Sequence, residues 1–174
     1  MSSHEIPAPR RGVGSTAAET ASKAAQIVAV VARETGGSWP GARGAAAQAI
    51  ALAERLATLS NVDARVFTAA LDALAHASPD LQERLEAAAA VPVEIAEKAA
   101  DVAEAALHVA ERCDGLLRAD AAGAAALAAG AALAAAQLVR ANLAIAPDDD
   151  RVRRAFKAAD DARYFASLAL DAGP

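Results

Sequence analysis

Apolar positions recur along this chain at three- and four-residue steps, and no run alternates apolar with polar residues. The first period lines one face of a helix, whereas alternation would mark a half-buried strand. The spacing predicts about five long helices. Helix 1 starts at Gly14–Ser15–Thr16, where Thr16 followed by Glu19 has capping-box spacing. Ile27, Val28, Val30 and Val31 continue it to about Glu34, and Gly36–Gly37 stops it. Helix 2 runs from Pro40, a residue tolerated in a first turn, to Ala75, with Ser60–Asn61 as the place where it could break. Helix 3 runs from Pro79 to about Arg112, with Ser78 as its cap and Asp114–Gly115 at its end. Pro92 cannot donate a backbone hydrogen bond and clashes with the carbonyl of Ala88, which predicts a kink rather than a break. Helix 4 covers about Ala119–Ile145, and helix 5 follows Pro147 to about Leu170.

Short connections make neighbouring helices antiparallel, so the expected fold is an all-α, up-and-down bundle. Residues 1–13, with Pro7, Pro9 and Gly12, read as an irregular leader. No repeat or linker divides the 174 residues, which suit one domain.

Composition sharpens this picture. Alanine supplies about a third of the chain and aromatics only 3%. Alanine is the best helix former, and its small side chain lets helix axes approach. The segment from Ala121 to Ala136 is almost entirely Ala, Gly and Leu, with Gly123 and Gly130 two turns apart on one face. At about 16 residues it falls short of the roughly 20 that span a bilayer. A helix apolar all round is expected to be buried.

Charge and chemistry narrow the function. A net charge of −5 argues against a phosphate-backbone binder, and no membrane segment is expected. The arginines at Arg10–Arg11 and at Arg151, Arg153 and Arg154 are not interleaved with aromatics. Cys113 stands alone, so no internal disulfide forms and a reducing, cytoplasmic setting fits best. The N-terminus has no apolar core and does not read as a signal peptide. His4, His76 and His108 are far apart in sequence, and no metal site is expected.

Four features remain. The leader feeds a helix start whose exposed N–H groups can hold an anion. Asp63 lies mid-helix beside Val62, Val66 and Phe67. Burial there would raise its pKa and suit it to proton transfer; a surface Asp bridged to Arg65 is the plainer alternative. Asp120 opens the small-residue helix, where the dipole would stabilise it. Asn142 is polar toward the end of that helix and, if buried, needs partners.

The order and spacing of these features resemble the cyclodeaminase/cyclohydrolase family, the helical folate-processing domain of formimidoyltransferase-cyclodeaminase and of stand-alone methenyltetrahydrofolate cyclohydrolases. The family's PxPGGGS-like leader corresponds to Pro7–Ala8–Pro9–Arg10–Arg11–Gly12–Val13–Gly14–Ser15. Its DxDxxxF-like segment corresponds to Asn61–Val62–Asp63–Ala64–Arg65–Val66–Phe67. Its VP-containing helix corresponds to Val91–Pro92–Val93, and its SD-start helix ending in an NL pair to Ala119–Asp120 through Asn142–Leu143.

The resemblance implies a homodimer of helical bundles, with a tetrahydrofolate derivative bound as substrate in a cleft where the subunits meet. It implies cyclodeamination of 5-formiminotetrahydrofolate or hydrolysis of 5,10-methenyltetrahydrofolate, without a metal. Asp63 would be the acid/base. Gly12, Gly14 and Ser15 would contact the ligand, and Asp120 and Asn142 would shape the site.

The chain departs from the family at several places. A lysine-rich stretch after the first helix is replaced by Gly36–Gly37–Ser38–Trp39–Pro40–Gly41–Ala42–Arg43, and a KLPK-like turn by Ala75–His76–Ala77–Ser78. Asn61, Ala119 and Leu138 stand where the family has Asp, Ser and Asn. These changes motivate a second reading: a non-catalytic helical dimer binding another small ligand or a protein partner.

Overall fold

The computed structural model describes residues 10–35, 39–113 and 115–172. Among them there are helices and no strands: α1 Val13–Glu34, α2 Ala42–Ala75, α3 Leu81–Ala88, α4 Ala90–Ala110, α5 Gly115–Asn142 and α6 Asp150–Asp171. Five are long and α3 has 8 residues, so the all-α bundle stands as the periodicity predicts. The expected stop at Gly36–Gly37, Asp114 of the Asp114–Gly115 stop, and the leader as far as Pro9 lie outside the described residues.

Helix α1 packs on α2 and α5, α4 packs on α5 and α6, and α5 also rests on α6. Alanine makes this close layering work. The buried side of α5 is alanine except for Val139, and the helices it packs on, α1 and α4, are themselves rich in buried alanine, among them Ala18, Ala21, Ala25, Ala96, Ala99 and Ala103. Ser22 of α1 shows how near the backbones come: its hydroxyl donates to the Ala53 carbonyl of α2 at 2.8 Å. Leu56, Ile95, Val102, Val109 and Leu143 supply the bulk that alanine does not.

The helix starts and stops differ from the sequence reading in instructive ways. Helix α1 is capped by Gly12, and Ser15, rather than Glu19, reaches back to the N-cap backbone. Ser15 Oγ accepts from the Gly12 N–H and donates to the Gly12 carbonyl, each at 3.0 Å. Thr16 lies one turn in, its hydroxyl on the same carbonyl at 2.9 Å. Helix α2 is unbroken at Ser60–Asn61.

At Pro92 the backbone stays helical: Ala89, the one residue between α3 and α4, has φ −63° and ψ −22°, and the proline removes only the bond to the Ala88 carbonyl. Helix α3 ends at Ala88, and Pro92 sits in the first turn of α4, where a missing N–H is tolerated. Ser78 is not the cap of α3. The N-cap is Asp80, and Ser78 Oγ donates to its carboxylate. Ser78 instead closes the end of α2: its N–H bonds the Ala73 carbonyl at 2.9 Å, and the Ala77 N–H bonds Leu74 at 3.1 Å. These paired bonds form a Schellman stop. Its left-handed position is occupied by Ala77, with φ 49°.

Helix α5 corrects the expectation of burial all round. By composition it is long and apolar enough to cross a membrane, but half of that stretch is buried in the bundle. Its other face is open: Gly123, Ala126 and Gly130 are exposed, and Leu127 and Leu133 are 46% and 49% exposed.

Candidate functional site

Asp63 lies on α2 facing the first turn of α1, and it is buried. It can approach so closely because Gly14 has no side chain: a Cβ there would stand 2.3 Å from Asp63 Oδ1. The Ser15 backbone N–H donates to the carboxylate. The anion held by the start of α1 is therefore the protein's own Asp63, where the helix dipole and unpaired N–H groups favour negative charge. Burial pushes the carboxyl above the ordinary aspartate pKa, and the Ser15 N–H pulls it part of the way back.

Beside Asp63 opens a cavity of about 200 Å³. Gly12, with Val13 and Gly14 at the start of α1, forms one rim. Val66, Phe67, Leu71 and Leu74 of α2 form a wall, faced by Leu81, Leu85 and Ala88 of α3. Pro92 closes the space from α4, and Leu138 and Asn142 from α5. Phe67 lies flat enough against Gly12 that a Cβ on the glycine would meet its ring at 3.2 Å. Asp63 is the single ionisable side chain among the lining residues, in an otherwise aliphatic and aromatic space.

The structure thus brings together Asp63, Gly12, Gly14 and Asn142. Asn142 is half-buried, and no described residue hydrogen-bonds its carboxamide. Ser15 supports the site from behind: it is fully buried, with its hydroxyl committed to Gly12 and its N–H to Asp63. Asp120 is not brought in. Helix α5 begins at Gly115, so Asp120 falls in its second turn, exposed. The 22 residues from Asp120 to Asn142 place the two about 33 Å apart along the axis.

The arginines of the leader do not enter the cavity. Arg11 pairs with Glu19, which also accepts from Ser60 Oγ at 3.4 Å. The Arg10 N–H donates to Thr68 Oγ1 at 2.7 Å, fixing the chain just ahead of Gly12. Asn61 bonds the Ala57 carbonyl at 3.2 Å on the exposed side of α2. Among the described residues no group of three His, Cys, Asp or Glu could hold a metal ion. His108 instead packs edge-on to Trp39, 5.5 Å between ring centres.

Sequence reasoning missed the apolar wall. Its signal is the pairing of Phe67, Leu71 and Leu74 on α2 with Leu81 and Leu85 on α3, on either side of a turn. That pattern reads as ordinary core until Phe67 and Leu74 prove to be 37% and 60% exposed.

An isolated acid held against a helix start, facing an apolar space, is suited to exchange a proton with a ligand nitrogen or water. Residues 2–161 match the sequence model of formiminotransferase-cyclodeaminase. The chain belongs to that family. Within it, the fold is similar to the solved structure of formiminotetrahydrofolate cyclodeaminase from Thermotoga maritima, with a TM-score of 0.73. The two are 20% identical, and the likeness covers 97% of this chain and 87% of the other. No curated protein matches the chain. Gly12 and Gly14 on one side and Asp63 on the other line one cavity rim.

Proposed function

We propose that this formiminotransferase-cyclodeaminase family member is a cytoplasmic folate one-carbon enzyme with Asp63 as its acid/base. The observation that carries this reading is Asp63 itself, the one ionisable group lining an apolar cavity and held by the Ser15 N–H. In cyclodeamination, N10 of 5-formiminotetrahydrofolate attacks the formimino carbon. The new C–N10 bond forms, N10 gives up its proton, and the formimino nitrogen takes up protons and leaves as ammonia. One carboxyl with a raised pKa serves both transfers, accepting from N10 and donating to the leaving nitrogen. In the hydrolytic direction the same group would take a proton from the water that adds to the methenyl carbon. Neither reaction needs a metal. The apolar walls suit the flat pterin and aryl rings, and Asn142 offers a polar group opposite Asp63.

A homodimer belongs to the same proposal. The open face of α5, with Leu127 and Leu133 half exposed between Gly123 and Gly130, supports a second copy as its cover. An antiparallel α5 pair with its two-fold axis between Ala128 and Ala129 would seat each Leu127 against the opposing Gly130. It would carry Asp120 of the partner subunit to the level of Gln137, toward Asn142. This arrangement would return Asp120 to the site from across the dimer.

The test is to incubate the purified chain with 5-formiminotetrahydrofolate and, separately, with 5,10-methenyltetrahydrofolate while following the methenyl chromophore. Formation or loss of that chromophore above the uncatalysed rate supports the reading, and the uncatalysed rate with both substrates removes it.

A further inference from the structure

Helix α3 forms one wall of the cavity yet is weakly built into the fold. Only Ala88 among its residues is buried; Leu81 and Leu85 are half-buried and turned to the cavity, while Gln82, Glu83 and Arg84 face solvent. At its start the helix is held by itself: Asp80 accepts from Ser78 Oγ and from Arg84 Nε, the latter at 2.8 Å. It enters through the left-handed Ala77 and leaves through Ala89, where the α-helical ladder is interrupted before Pro92. A short helix with few buried groups opens at low free-energy cost.

One long-range polar contact reaches its far end. Arg151 Nη1, on α6, donates to the Glu86 carbonyl in the last turn of α3 at 2.8 Å. The rest of that guanidinium is clamped. Nε and Nη2 lie 3.0 and 2.7 Å from the Asp149 carboxylate, and the Arg151 backbone N–H donates to the same group at 2.8 Å. The guanidinium holds Asp149 down to a pKa of about 2, so the pair is ionised across the working range. The backbones of α3 and α6 do not come close to one another, and the Arg151 side chain reaches across from one to the other. A cation is also the favoured charge at a helix C-terminus.

We propose that Arg151 is a positioning residue of the cavity. Held by Asp149, it fixes the end of α3 and so sets how far the Leu85 wall stands from Phe67 across the space. Arg151 touches no lining residue through its guanidinium except by way of the α3 backbone; its effect on a ligand is indirect. The proposal rests on this cavity being the ligand site. Lysine cannot replace it, because one ammonium cannot hold both oxygens of Asp149 and reach Glu86.

The experiment uses Leu85→Cys as a reporter of the wall, since the chain's one native thiol, Cys113, is buried. Adding Arg151→Met is expected to speed alkylation of the reporter by iodoacetamide about tenfold, the loss expected for one charge-assisted hydrogen bond. Arg153→Met is the control: Arg153 lies on the same turn but bonds only Asp148 and Asp150. Without the reporter, Arg151→Met is expected to raise KM for 5,10-methenyltetrahydrofolate about tenfold with kcat within about twofold. Equal alkylation rates with and without Arg151 would overturn the proposal, as would equal acceleration by Arg153→Met or an unchanged KM. If the wild-type chain does not turn over folate, the folate reading falls and the alkylation rates alone decide the role of Arg151.

Discussion

Gly14 and Asp63 meet across the α1–α2 interface with no room for one more carbon: a methyl on Gly14 would lie 2.3 Å from Oδ1 and 2.6 Å from Cγ of the aspartate. The glycine is there because the acid is, and the acid is held because the glycine lets the α1 N-terminus reach it. This relation yields the first prediction. Gly14→Ala should gain helix propensity yet lose stability, by about 1–3 kcal/mol, because the side chain overpacks a closed contact. In an Asp63→Ala background the same change should be neutral or stabilising. Thermal or urea unfolding of the four variants checks it, and additive effects would show that the two residues do not compete for the space.

The pH dependence follows from the raised pKa of Asp63. A carboxyl whose folded pKa lies above its unfolded value binds its proton more tightly in the folded state. Its penalty is therefore fully present above the folded pKa and disappears as pH falls through that value toward the unfolded one. Asp63→Asn, which removes the charge and keeps an acceptor for the Ser15 N–H, should unfold at higher temperature than wild type at pH 8. The difference should close as pH is lowered to about 4, the ordinary aspartate value. A difference independent of pH would contradict the shift.

Much of this was legible in the chain. The three- and four-residue spacing located the helices, and an acid set among Val62, Val66 and Phe67 marked Asp63. What escaped was set by tertiary contact. The N-cap backbone bond fell to Ser15, and Glu19 pairs with Arg11. Pro92 interrupts the ladder at a single residue, Ala89, whose dihedrals remain helical. The small-residue helix is open on one face, which no pattern within a single chain could reveal. Asp120 is kept from the site by the rise of the helix itself, 22 residues or about 33 Å from Asn142.

Ala77 offers a test of the α2 stop. It holds φ 49° in the Schellman position where glycine has no steric cost. Ala77→Gly should stabilise the protein by about 1 kcal/mol, the cost of a left-handed L-residue. Equilibrium unfolding is the measurement, and destabilisation would contradict the assigned geometry.

The dimer prediction is one of mass. The chain should sediment at about 35 kDa, twice its 17.4 kDa. Leu127→Glu, on the open face of α5, should sediment as a monomer with unchanged helical circular dichroism, because a charge cannot be buried unpaired against the opposing helix. A wild-type monomer at high concentration would remove the dimer from the account.

The central claim is that Asp63 moves protons in this cavity. Its most direct test is the rate of methenyl formation from 5-formiminotetrahydrofolate by wild type and by Asp63→Asn, with folding of both confirmed by circular dichroism. The account predicts that wild type turns over and that the variant, folded and still binding, loses about 100-fold or more in kcat. Equal rates in the two proteins would contradict it.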